Sequence, residues 1–110
     1  MMHARIRFMR LILFFDLPMD SFLERRSYSA FRKFLLHDGY LMLQKSVYTK
    51  LVTNDQMAIA AVSRLKQNKP SHGLVQLLKV TERQYAGMEC IAGNAMSHNE
   101  INTIESLLIL

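Results

Sequence analysis

Met9-Arg-Leu-Ile-Leu-Phe-Phe-Asp-Leu-Pro18 is the stretch that decides the fold. Arg10 to Phe15 is an almost unbroken apolar run, the composition of a strand covered on both faces. Leu11 to Phe15 is far too short to cross a bilayer. The basic residues before it give the outline of a signal peptide, but Asp16 ends the run and no small-residue cleavage site follows. Pro18 then removes a ladder donor and stops the strand. The stretch therefore reads as a buried strand that delivers one carboxylate to a loop.

Beyond the loop, Ser21 and Glu24 are spaced as a capping box. Leu23, Ser27, Phe31, Phe34 and Leu35 recur at helical spacing and predict one apolar stripe. Gly39, after His37-Asp38, is suited to a left-handed C′ position. Tyr40 to Val52 is β-rich and proline-free, and reads as strands Leu41–Gln44 and Val47–Val52 turning at Lys45-Ser46, or as one long bent strand. Asn54-Asp55 caps a second helix with Ala58, Ala61, Val62 and Leu65 on one face. Gly73 to Val80 predicts another strand, and Tyr85 to Ala92 a further short one.

The expected order is βαββαβ with extra C-terminal strand material, an α+β ferredoxin-like domain. Residues 1–8 read as an N-terminal extension, 9–92 as the domain, and 93–110 as a loop and C-terminal strand. The fold lays two helices on one face of an antiparallel sheet. The strands are apolar on both faces, so a homodimer is expected to cover the other face. The apolar tail Leu107 to Leu110 is expected to add to a sheet, its own or a partner's.

Half of the 110 residues are hydrophobic and 21% are charged, enough for a core and too few charges for disorder. The net charge is +5, and all 14 basic residues fall before position 84. That balance suits a polyanionic partner, with nucleic acid the common one. Cys90 is the sole cysteine, which excludes an intrachain disulfide and a cysteine-rich metal centre, fits a reducing cytoplasm, and is read as a core residue. His3, His37, His72 and His98 are too dispersed for a metal pair, and no glycine-rich phosphate loop occurs.

Asp16 is the first candidate for chemistry. Its residue type suits Mg²⁺, yet one carboxylate per chain is few, and a two-fold dimer would present two. From the residues alone, a carboxylate that caps the loop or pairs with an arginine is the favoured reading, since structural carboxylates are common. Arg25, Arg26, Arg32 and Lys33 form either a phosphate-binding set or a solvated helix face.

Met9 to Pro18, Tyr28-Ser-Ala-Phe-Arg-Lys-Phe-Leu-Leu36, Gly39-Tyr-Leu-Met-Leu-Gln-Lys-Ser-Val-Tyr48 and Gly73 to Tyr85 together resemble the CRISPR-associated Cas two family, in the form found with single-effector systems. The resemblance spans residues 9–92 in order. It implies a ferredoxin-like homodimer, partnership with the Cas one integrase in spacer acquisition, and binding of DNA or RNA. It further implies metal-dependent endonuclease activity with Mg²⁺ or Mn²⁺, and a metal-site aspartate at Asp16.

Overall fold

The computed structural model describes residues 8–93. The elements run β1 (Met9–Asp16), α1 (Phe22–His37), β2 (Leu41–Gln44), β3 (Val47–Val52), α2 (Asp55–Gln67), β4 (Leu74–Thr81) and α3 (Glu82–Ala86). The four strands form one antiparallel sheet in the order β2-β3-β1-β4. This is the ferredoxin-like arrangement, with β1 and β3 central and β2 and β4 at the edges.

Local chemistry explains the element ends. Ser21 caps α1 and accepts from the Glu24 N–H at 3.1 Å, while Glu24 accepts from the Ser21 N–H at 2.9 Å. Asn54 caps α2, accepting from the Met57 N–H at 2.7 Å. Gly39 has φ +92° where the chain reverses out of α1. The hairpin turns at Lys45-Ser46 with Ser46 at φ +68°, so the two-strand reading holds and the long bent strand does not.

Side chains alternate across β1. Leu11, Leu13 and Phe15 face α1 and α2, where they join Phe31 and Leu35 of α1, Ala58, Ala61 and Leu65 of α2, and Tyr40, Tyr48 and Val52. Phe15 is the hub of this core. Its ring lies 5.2 Å from Phe31, 5.8 Å from Tyr28 and 5.5 Å from Tyr48, centroid to centroid. Aromatic pairs at such distances add about 0.5–1.5 kcal/mol each beyond their burial.

Three expectations are corrected. Tyr85 to Ala92 contains no strand: Glu82–Ala86 is a helix capped by Thr81, with Gln84 completing a second capping box. Cys90 is exposed rather than in the core, and its thiol donates to the Ala92 carbonyl at 3.4 Å. Leu23 leaves the apolar stripe and is 72% exposed. The N-terminal extension up to Arg7 and the C-terminal strand at Leu107 to Leu110 lie outside the described residues.

α3 sits on the face opposite α1 and α2. There the Tyr85 ring covers Arg10, and Arg10 pairs with Glu82. The rest of that face has no helix over it among the described residues. Phe14, Leu74 and Leu78 are exposed on it, flanking the nearly buried Ile12.

Candidate functional site

Asp16 is the last residue of β1, directly opposite Leu74 of β4. It follows Phe15 in the pleat, so its side chain lies on the open sheet face with Ile12 and Phe14. Three features fix its backbone. The Phe15 ring is clamped in the aromatic core. The Phe15 N–H donates to the Ser46 carbonyl at 3.1 Å, tying the hairpin turn to the end of β1. Gly73 packs so tightly beside it that a Cβ there would lie 2.6 Å from the Asp16 carbonyl oxygen.

The Asp16 carboxylate is exposed, and no hydrogen bond or ion pair engages it among the described residues. It does not cap the loop: Ser21 and Glu24 satisfy the start of α1. It lines a shallow depression of about 300 Å³ with Phe14, Lys45, Ser46, Leu74 and Gln76. Lys45 is thus the cation that the fold brings to Asp16. Its place at the hairpin turn, 29 residues along the chain, gave no sequence signal of that proximity beyond basic charge.

The α1 set lies elsewhere. Arg25 donates to the Met19 and Asp20 carbonyls, each at 3.2 Å, and so braces the loop that follows Asp16. Arg32 donates to the Tyr48 hydroxyl at 3.1 Å. Arg26 and Lys33 are exposed. All four belong to the helix layer, whereas the Asp16 side chain is on the opposite sheet face, so a single chain does not converge them on one site.

A hard cation prefers carboxylate and water oxygens, and Mg²⁺ is commonly held by one or two carboxylates with waters and phosphate oxygens. Asp16 meets that donor chemistry. Among the described residues, no three His, Cys, Asp or Glu side chains gather as a metal cage. No helix among the described residues is long and apolar enough to cross a membrane.

Among the described residues, a ferredoxin-like sheet thus carries a carboxylate without a partner at the end of β1, Lys45 lining the same depression, and an apolar face without a helix over it. The family profile described as "CRISPR associated protein Cas2" matches residues 9–88, and the chain belongs to that family. It is 48% identical over 102 residues to the CRISPR-associated endoribonuclease Cas2 of Treponema denticola, covering 93% of this chain and all of that protein. The protein of the same name from Streptococcus mutans is 49% identical over 85 residues, 77% of this chain and 78% of its own length. The one from Ligilactobacillus salivarius is 38% identical over 102 residues, covering 93% of this chain and all of its own.

Proposed function

We propose that two copies of this chain form a cytoplasmic CRISPR-associated nuclease in which Asp16 of each copy holds a divalent cation, Mg²⁺ or Mn²⁺, against a phosphodiester of RNA. The observation that carries this reading is the placement of Asp16: a partnerless carboxylate on a rigid strand end, on the same face as the exposed apolar residues Phe14, Leu74 and Leu78. Pairing that face about a two-fold axis buries the apolar side chains and gives the site a second carboxylate. The names of the relatives support RNA as the substrate.

A cation bound there supplies Lewis-acid contact to a phosphate oxygen and a more acidic water. The chain's own residues do the rest. Asp16 supplies the anchoring oxygens, held in place by the Phe15 clamp and the Ser46 carbonyl. Lys45 lines the same depression and meets a phosphate as a compact point charge. The test is cleavage of a single-stranded RNA by the purified dimer in excess Mg²⁺. Asp16→Asn is expected to lose cleavage while keeping the wild-type sedimentation coefficient; undiminished cleavage by that variant refutes the reading.

A second reading has its own support. Arg25, Arg26, Arg32 and Lys33 lie on the layer opposite Asp16, a placement that suits a duplex lying across α1 without reaching the carboxylate. In that reading the homodimer is a basic spacer that holds DNA for the Cas one integrase during spacer acquisition. It predicts steeply salt-dependent DNA binding, equal in wild type and Asp16→Asn, and weakened in Arg26→Ala and Lys33→Ala.

A further inference from the structure

The turn before β4 is pressed onto the loop after β1. Gly73, at φ +97°, abuts the Asp16 carbonyl and the Leu17 side chain, so its neighbours Ser71 and His72 stand beside the Asp16 loop. Between this turn and the first turns of α1 lies a cavity of about 190 Å³, lined by Leu17, Pro18, Leu23, Ser27, Ser71 and His72. Leu17 is buried and forms the floor, while Leu23 and His72 are exposed at the mouth. Glu24 also borders it, but its carboxylate accepts from the Asp20 and Ser21 N–H groups at 3.0 and 2.9 Å. Those bonds hold the Glu24 carboxyl below its usual range, Ser21 contributing most, and commit it to the helix cap.

We propose that this cavity is a nucleobase subsite, taking one unpaired base of a single strand whose neighbouring phosphate lies at Asp16. The chemistry of the walls argues for it. Leu17, Pro18 and Leu23 offer apolar surface, against which a base packs. Ser27, Ser71 and His72 offer hydroxyl and imidazole groups that both donate and accept, the pattern needed to read the polar edge of a base. An anion is poorly served, because the bordering charge is the Glu24 carboxylate; a neutral base is not repelled. A paired base cannot enter, so the subsite makes the protein selective for unpaired strands.

The subsite rests on the reading of Asp16 as a nucleic-acid site, and its test separates the two. Full-length wild-type protein and the variants Ser71→Ala/His72→Ala, His72→Asn and Ser27→Phe are titrated by fluorescence anisotropy. The probes are a single-stranded RNA, the DNA strand of the same sequence and the corresponding RNA duplex. The double variant is expected to weaken both single strands by about tenfold and to leave the duplex unchanged. His72→Asn, which keeps a donor and an acceptor, should recover most of the loss, and Ser27→Phe, which fills the cavity, should match the double variant. An effect on RNA alone would mean that the subsite reads the ribose with the base. Equal single-strand affinity across wild type, the double variant and Ser27→Phe overturns the subsite while leaving the Asp16 reading standing. Failure of the wild type to bind any single strand overturns both. An equal loss for duplex and single strands means general weakening and also overturns the subsite.

Discussion

The guanidinium of Arg10 lies 4.4 Å from the centroid of the Tyr85 ring. Arg10 is 4% exposed although it sits on the sheet face that α1 and α2 leave open, because α3 folds back over it and Glu82 neutralises it. A charge so nearly buried is tolerable only when it is paired. The sequence places it there by alternation with Leu11 and Leu13, and α3 supplies the cover.

Replacing Arg10 is therefore expected to loosen α3 from the sheet. Arg10→Ala loses the ring contact and strands Glu82, and should cost about 2 kcal/mol in urea unfolding. Glu82→Gln, at a more exposed position, should cost less than about 1 kcal/mol. Amide exchange in residues 82–86 should accelerate in Arg10→Ala before it does in β1.

Gly73→Ala tests the contact that sets the loop beside Asp16. The new methyl would lie 2.6 Å from the Asp16 carbonyl oxygen and 2.7 Å from the Leu17 side chain, at φ +97°. A loss of about 2 kcal/mol is expected from the strain together with the clash. Gly87→Ala is the control: the nearest atom to its new methyl is at 3.4 Å and φ is −79°, so stability should stay within about 0.5 kcal/mol.

Tyr40 governs the alkaline limit. Its hydroxyl is buried without a partner, and burial, helped by the Asp38 carboxylate, holds its pKa well above the usual tyrosine value. The folded state thus keeps a proton that the unfolded chain releases, so stability falls as pH rises above about 10. Lys50 acts in the opposite sense just below that range. Burial lowers its pKa, so the folded state releases its proton first and stability rises as pH climbs towards about 10.4. Tyr40→Phe should be neutral or slightly stabilising at pH 7, since it removes an unpartnered hydroxyl, and should abolish the loss above pH 10. A thermal-melting profile from pH 7 to 11.5 separates the two groups, and an unchanged alkaline limb in Tyr40→Phe would refute the assignment.

The open face should set the oligomeric state. Leu78→Arg places a charge in the middle of the exposed apolar strip, opposite Ile12; on the proposed pairing of that face it is expected to sediment as a monomer in analytical ultracentrifugation at concentrations where the wild type is expected to sediment as a dimer. Ile59→Arg changes a still more exposed residue on α2, on the other layer, and should leave the sedimentation coefficient unchanged.

Much of the fold was legible because its signals are local. The apolar run of β1, the Ser21–Glu24 box, the turn at Lys45-Ser46 and the Asn54 cap each lie within a few residues. α3 went unrecognised, and only its last two residues fall within the expected strand Tyr85 to Ala92, yet Thr81 and Gln84 carry the same box that identified α1. Leu23 was misplaced because helical periodicity says which residues share a face, not which of them the rest of the fold covers. For the site, Asp16 announced itself by ending a buried run. Lys45, Ser46, Ser71, His72 and Gly73 did not, because they reach it through the pairing of β1 with β3 and β4, which no local pattern encodes.

The alternation along β1 has one more consequence. Leu11, Leu13 and Phe15 belong to the core, and Asp16 reaches the open face only because it is one step out of phase with them. Removing a single residue from within β1 would turn the carboxylate towards α1 or push a core side chain into water. β1 therefore behaves as a ruler marked in twos. Substitutions along it can accumulate one at a time, but a change in its length that spares both core and carboxylate must come in pairs of residues.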